Sequence, residues 1–512
     1  MSLSKPSYSG AAKRSAMTAD ARPGLTGDAA KTSEGDDTAG GLITADLCII
    51  GAGSGGLSVA AAAASLGQKV VLIEKHKMGG DCLNYGCVPS KALLAAGKRA
   101  EYMRSSQPFG ITPVEPHIDM RLVRDHVQGV IAAIQPNDSV ERFTGLGVRV
   151  IQAAARFIDK ATVAAGEHRI TARRFVIATG SSPAVPPIPG LDGITYFTNE
   201  TIFDNAEKLH HLIIIGGGPI GMEMAQAHQR LGSRVTVLEA ETAFAKDDPE
   251  LVAVVLKRLA AEGVTVREGA KVDRIEGGLG RIKVHYSQDG QSGIVEGTHL
   301  LVATGRKPNL DDLGLEAARI AHDHRGITVN KALKTSNRRV YAIGDVIGGL
   351  QFTHVANYHA GIVIRRALFG IPAKVDNRLV PWVTYTEPEL ASVGLSEAQA
   401  RKDYRKINVL RWPYHENDRA QAERVTEGHV KVVTDHKGHI LGAAIVGEHA
   451  GEVIQMWSLA ISQGLKIKAM TGWIAPYPTL GEINKRAAYR YYASSAASPM
   501  VRRVIDFVKR FR

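Results

Sequence analysis

Two stretches of the chain carry the same alternation of apolar and polar positions. Residues 45–50 form a short apolar run, followed by glycines, an Ala-rich helical segment over 59–66 and a second apolar run at 69–73 that stops at Glu74. Residues 211–215 open the series again, with glycines, a helical pattern through Leu231 and a run at 234–238 that stops at Glu239. Unbroken apolar runs of this length predict strands buried on both faces, because a strand with one face in water would alternate. Strand ends are also predicted where 175–178 and 300–303 close on Ala-Thr-Gly. From about Arg378 the pattern changes to strand-like stretches at 382–385, 429–433 and 440–446, mixed with helical segments. The pattern predicts an α/β protein with two repeated units, followed by an α+β domain.

The turns of the repeated units carry chemistry. Gly51-Ala52-Gly53-Ser54-Gly55-Gly56 follows the first strand. A lone glycine fingerprint is weak, but strand, glycines, helix, strand and terminal acid within about thirty residues mark a dinucleotide site. Gly51 permits the tight turn, Gly53 lets the backbone approach a pyrophosphate, and Gly56 allows close packing of helix on strand. Glu74 can bind a ribose hydroxyl pair. Gly216-Gly217-Gly218-Pro219-Ile220-Gly221 and Glu239 repeat the arrangement. Two such units imply two nucleotides.

At 512 residues the chain is long enough for about three domains. Only three cysteines in such a length argue against a secreted disulfide scaffold and for a reducing compartment, the cytoplasm. No apolar run is long enough to span a bilayer. Residues 1–41, rich in Ser, Ala, Gly, Thr and Asp, read as a disordered leader without a secretory apolar core. The formal charge of +12 raises nucleic acid or a membrane as partners. Much of it sits in Arg502, Arg503, Lys509, Arg510 and Arg512, among Val501, Val504, Ile505, Val508 and Phe511 at helical spacing. The tail 491–512 is therefore expected to be a basic amphipathic helix, packed on its own subunit or lying on an anionic membrane, and no nucleic-acid partner is expected.

Cys48 lies in an apolar run and reads as a small core residue. Cys82 and Cys87 stand five positions apart in Gly79-Gly-Asp-Cys-Leu-Asn-Tyr-Gly-Cys-Val-Pro-Ser-Lys91. Five residues of regular helix advance about 7.5 Å, beyond the usual Cα separation of a disulfide, so a bridge needs a distorted turn. Gly86 and Pro89 favour one. A strained bridge suits a bond made and broken in each cycle, whereas two unlinked thiols or half of a metal site are the alternatives. No second Cys pair or Cys/His cluster at zinc spacing accompanies them, so no metal site is expected.

Residues 79–91 resemble the redox-active segment of the flavoprotein disulfide reductases: lipoamide dehydrogenase, glutathione reductase and mercuric reductase. One departure is Asp81, where these enzymes carry Thr. The resemblance covers about residues 42–490. It implies two Rossmann-like dinucleotide-binding domains, for FAD (42–190 and 305–377) and NAD (191–304), and a C-terminal α+β dimerisation domain (378–490) whose start is 384–395. Electrons would pass from nicotinamide through flavin to a Cys82–Cys87 disulfide. Cys87 would face the flavin, Cys82 would attack the acceptor, Lys91 would serve the flavin edge and Glu223 would pair with Lys91. Flavin contacts are implied for Gly51, Gly53, Ser54, Gly55, Gly56, Glu74, Lys75, Gly80, Asp81 and Ala155. Further contacts are implied for Thr179, Gly180, Ser181, Arg306, Asp345, Gln351, Phe352, Thr353 and His354. Nicotinamide contacts are implied for Gly216, Gly218, Pro219, Ile220, Gly221 and Glu239, and cofactor contacts also for Val272 and Gly305.

The acid–base segment of the family corresponds to residues 476–482, and the resemblance implies that it completes the site of a homodimer partner. The family histidine is Tyr477 here, while the orienting Glu482 is retained. A phenol with pKa near about 10 is a poor base at neutral pH, which argues against efficient lipoamide or glutathione turnover. A tyrosine here is shared with mercuric reductases, but their cysteine pair near the C-terminus has no counterpart after Cys87. His354 and His359 are candidates for a substitute base. Glu239, with no arginine in the residues just after it, predicts NADH over NADPH. The expected protein is an NADH-dependent FAD enzyme acting on a small disulfide, metal or quinone-like acceptor. Dihydrolipoamide dehydrogenase and a membrane-surface redox partner protein are the rivals.

Overall fold

The computed structural model describes residues 41–278, 280–496 and 499–511; the expected leader lies, but for its last residue, outside them. Strand Leu42–Ile50 sits in the middle of the first sheet, paired in parallel with Val70–Glu74 on one side and His168–Ile177 on the other. Val148–Gln152 extends the parallel order beyond Val70–Glu74, while Thr162–Ala165 and Ala155–Phe157 close the other edge antiparallel. Val340–Ala342 returns from far along the chain to pair in parallel with His168–Ile177. Helices Ser54–Ser65 and Thr353–Ala367 pack on the buried strands.

The second unit repeats this on a smaller scale. Strands Thr265–Arg267, Arg234–Leu238, His211–Ile215 and His299–Val302 form a parallel sheet. An antiparallel layer follows from Lys271–Gly278, Arg281–Gln288 and Gln291–Gly297. Between the units the chain crosses twice, and the crossings pair with each other as Ser181–Pro183 against Arg306–Pro308. The C-terminal domain is a five-stranded antiparallel sheet running from Trp382–Thr384 to Ile407–Pro413, covered by helices including Gln455–Ser462 and Glu482–Ala496. Helix Glu482–Ala496 runs past the expected start of the tail at 491, and the separate amphipathic helix is Pro499–Lys509.

Glycine is required at the same place in both units. A Cβ on Gly56 would lie 1.9 Å from the Gly51 carbonyl oxygen, and one on Gly221 would lie 2.0 Å from that of Gly216. Cys48 is enclosed in the first core, where burial pushes its thiol pKa up.

A buried ionic cluster joins the three domains. Arg230 donates to Glu262 (2.6 Å) and pairs with Glu387, while Lys98 pairs with Glu387 and Glu448, both at 2.8 Å. Gln226 exchanges hydrogen bonds with the Glu387 backbone. Arg230→Ala would leave the buried Glu262 with only the more distant Arg258 at 3.7 Å and Glu387 with Lys98 alone, and breaking a buried pair in this way typically costs up to about 3–5 kcal/mol. Urea unfolding is expected to show a loss of that size, and a variant as stable as the parent would contradict the account.

Candidate active site

The redox segment folds as two helices with a break. Gly80–Asn84 ends at Tyr85, and Gly86 precedes the 18-residue helix Cys87–Arg104. A Cβ on Gly86 would come within 2.8 Å of the Asp81 carboxylate and 3.1 Å of its carbonyl oxygen, so a side chain there would have to displace Asp81. Pro89 falls in the first turn of the new helix, where backbone N–H groups have no intrahelical partner and the missing donor costs nothing. The break brings the Cys82 and Cys87 sulfurs into hydrogen-bond contact, both as free thiols here.

That contact divides the two sulfurs chemically. The hydrogen bond from Cys82 lowers the Cys87 thiol pKa to about 6, against the opposing effect of burial, with help from the Thr353 hydroxyl and the Lys91 charge. Thr353 Oγ1 lies 3.3 Å from Cys87 Sγ. The first turn of a helix also favours a thiolate. Cys82, which keeps the shared proton and is also desolvated, is shifted well above the ordinary thiol range.

Lys91 comes one turn after Cys87. Its Nζ donates to Glu223 Oε2 at 2.6 Å, and the ring centroid of Tyr385 lies 4.3 Å from it. Glu223 Oε1 accepts the Tyr385 backbone N–H at 2.9 Å. One buried carboxylate thus joins the redox helix, the helix Pro219–Arg230 and the start of the C-terminal domain. Tyr385 was not among the expected site residues, although it stands inside the 384–395 segment.

Asp81 faces Arg306 at 3.0 Å and accepts from Asn199 Nδ2 at 3.2 Å. Arg306 also donates to Ser181 Oγ (2.7 Å), and Ser181 donates to Asp345 (2.6 Å), whose carboxyl pKa is raised by burial. The carboxylate that replaces Thr beside Cys82 therefore has a cation of its own. Asn199 carries no motif that a sequence reading could have used.

All of these groups line one cleft of ≈ 1890 Å³, well beyond the usual 300–1,000 Å³ of a single-ligand pocket. Both glycine turns open into it. Glu74 Oε2 accepts the Ala52 N–H, and Glu239 Oε2 accepts the Gly217 N–H, so each terminal acid sits against its own glycine loop. Two cradles that exclude a Cβ, each with an acid at the next strand end, fit a flavin dinucleotide and a nicotinamide dinucleotide. Gly51, Gly53, Ser54, Gly55, Lys75, Gly80, Ala155, Thr179, Gly180, Ser181, Gly216, Gly218, Pro219, Ile220, Gly305, Arg306, Asp345 and 351–354 all reach the cleft.

Other expected residues lie elsewhere. Gly56 and Gly221 do not line the cleft and serve helix–strand packing, while Val272 packs against the apolar core of the second unit. Glu482 does not orient Tyr477: it pairs with Arg486 at 2.8 Å, and the exposed Tyr477 hydroxyl instead donates to Asp418 Oδ2 at 2.9 Å. That hydrogen bond raises the phenol pKa further, so still less phenolate is present at neutral pH. His359 is no substitute, because it is buried, its pKa is lowered to about 4, and Nδ1 accepts the Gly344 N–H. His354 lines the cleft, but Nε2 faces the Pro381 carbonyl at 2.7 Å and burial lowers its pKa. Among the described residues, no three or more His, Cys, Asp or Glu side chains come together as a metal-holding cluster.

The depressed Cys87 pKa sets a pH dependence. In the dithiol protein a thiolate is expected above pH about 6 and lost below it. Cys82→Ala removes the principal cause and should move the midpoint towards about 8.5, and Lys91→Met should move it up by less. pH-difference absorbance of the reduced protein reports the midpoint; an unchanged value in Cys82→Ala would contradict the assignment.

Comparison with known proteins agrees with this geometry. Residues 45–360 match the pyridine nucleotide-disulphide oxidoreductase family, and residues 380–488 match its dimerisation domain. A mercuric reductase of Bacillus cereus is 37% identical over 87% of this chain and 71% of its own length. A dihydrolipoyl dehydrogenase of Geobacillus stearothermophilus is 35% identical, over 87% of this chain and 96% of its own length. The solved Cu(II) complex of the HOCl-induced flavoprotein disulfide reductase RclA from Escherichia coli superposes with a TM-score of 0.78 at 28% identity, covering 86% of this chain and 98% of that one. The chain belongs to the pyridine nucleotide-disulphide oxidoreductases, enzymes that use FAD and a pyridine nucleotide.

Proposed function

We propose that this enzyme takes electrons preferentially from NADH and passes them to the Cys82–Cys87 cystine and on to a small acceptor other than lipoamide or glutathione disulfide. The observation that carries the reading is the divided cysteine pair: a stabilised thiolate at Cys87, beside Lys91 and Glu223, in a cleft that two dinucleotide cradles share. The flavin, when bound, supplies the two-electron relay between the nicotinamide and the cystine. Two electrons and two protons convert the cystine to the dithiol. With a disulfide acceptor, Cys82 as thiolate attacks one sulfur and releases the first thiol. Cys87 thiolate then attacks Cys82 Sγ, restoring the cystine and releasing the second thiol. Cys82 must first lose its proton, so the exchange needs a base close to neutral pH.

The match to the dimerisation domain supports a homodimer, in which residues 476–482 would reach the partner's cleft. We place the enzyme in the cytoplasm, in keeping with three cysteines in 512 residues. Among the described residues no helix is long and apolar enough to cross a membrane.

The reading is tested by an anaerobic panel of acceptors with NADH: lipoamide, glutathione disulfide, mercuric ion and quinones. Slow lipoamide turnover beside faster turnover of another acceptor supports it, and robust lipoamide turnover restores the dihydrolipoamide dehydrogenase reading. With NADPH, kcat/KM should be lower, because Glu239 at the strand end would bring a carboxylate close to the extra phosphate. Glu239→Ala should narrow the gap through KM for NADPH, as expected when a repulsive group is removed; equal use of both coenzymes by the parent would refute the preference. Tyr477→His should raise lipoamide turnover by about two powers of ten or more, the scale of general-base assistance. Asp418 rather than Glu482 would orient the imidazole, so adding Asp418→Asn should cancel most of that gain.

A further inference from the structure

The helix Pro499–Lys509 has no buried residue. The helix before it behaves differently, with Ile483, Asn484, Ala487 and Ala488 enclosed by the C-terminal domain. At about 100° per residue, the apolar side chains from Met500 to Val508 fall on one arc of roughly 160°. Phe511 continues that arc past the helix end, its ring 4.9 Å from Phe507 and edge-on to it. The polar arc is basic. Lys509 and Arg502 flank one border of the apolar face, and Arg503 and Arg510 flank the other. Asp506 is the single acid among them, and it pairs with Lys509 at 3.4 Å.

An exposed face of this kind needs a cover, either protein or lipid. The helix buries no residue against its own chain, and at 11 residues, about 16 Å, it can by itself bury only a few hundred Å² against a separate protein, below the roughly 1,000 Å² of a stable interface. A bilayer surface has no such threshold. Shallow insertion of the apolar arc adds to the attraction of anionic headgroups for Lys and Arg, and long basic side chains on both borders can reach phosphates while the arc enters the acyl boundary. We infer that residues 499–511 are a reversible anchor for an anionic membrane surface. Its apolar arc lies in the bilayer interface and Arg502, Arg503, Lys509 and Arg510 contact phosphodiester headgroups. A homodimer would present two copies, and simultaneous engagement would strengthen binding without new contacts. The inference is independent of the electron acceptor.

The test uses the full-length, flavin-loaded protein in flotation with vesicles of phosphatidylcholine alone or mixed with phosphatidylglycerol. Flotation with the anionic vesicles is expected, together with much weaker binding to the neutral ones and weakening by salt. Each basic residue is worth about fivefold at an anionic surface, so Arg502→Gln with Arg503→Gln should weaken binding about thirtyfold. Val504→Glu should abolish flotation, and both variants should keep NADH-driven flavin reduction. Failure of the parent to float, equal binding to both vesicles, or unimpaired flotation of the variants would overturn the inference. A change in oligomeric state of Val504→Glu with lipid binding intact would instead assign the face to a second copy of the chain.

Discussion

The site depends on a buried carboxylate. Glu223 accepts the Lys91 ammonium from the redox helix and the Tyr385 N–H from the C-terminal domain, while its own helix starts at the second glycine cradle. A carboxylate so enclosed needs both partners, because an unpaired buried charge carries a large desolvation penalty. Lys91 in turn faces Cys87 one helical turn away, with the Tyr385 ring over its Nζ. The position of a single side chain thus fixes three domains against one another and places a cation next to the sulfur that must carry negative charge. The Arg230–Glu262–Glu387–Lys98 cluster braces the same boundary further along the redox helix.

Much of this was legible in the sequence. The two strand–glycine–helix–strand units are local in the chain, and their buried strands have to be continuous apolar runs, so pattern alone located both cradles. The broken turn at Gly86 followed from a cysteine spacing that no regular helix can bridge. Gly56 illustrates how far that reading goes: the pattern read it as the residue that lets helix pack on strand, and a Cβ there, as on Gly221, would collide with the first carbonyl of the turn, while neither glycine lines the cleft. Val272 was carried over by resemblance alone and is half-buried against the core of the second unit, away from the cleft.

What the sequence concealed lies in contacts between distant segments. Tyr385 and Asn199 reach the redox segment only because the domains close on it, and neither stands in a pattern of its own. Asp81, the carboxylate that stands where the resembling enzymes carry Thr, is paired with Arg306 from the second crossing strand, a contact that no local pattern in the sequence announces. Glu482 looked like the partner of Tyr477 because it stands five residues on. An i to i+4 pair with Arg486 on the same helix is geometrically closer, and Asp418 takes its place beside the phenol. The resulting cleft keeps the Cys87–Lys91–Glu223 contacts, while the position where the resemblance leads one to expect a histidine holds Tyr477, hydrogen-bonded to Asp418.

The most direct test of the account is the long-wavelength absorbance of the flavin-loaded protein in two single variants. Cys82→Ser leaves Cys87 as a lone sulfur beside the flavin, with a serine hydroxyl still able to donate to it, and the band should be present without reductant. Cys87→Ser should lack the band even after two-electron reduction by NADH. The same spectrum in both variants, or a band retained in Cys87→Ser alone, would contradict the division of roles between the two cysteines.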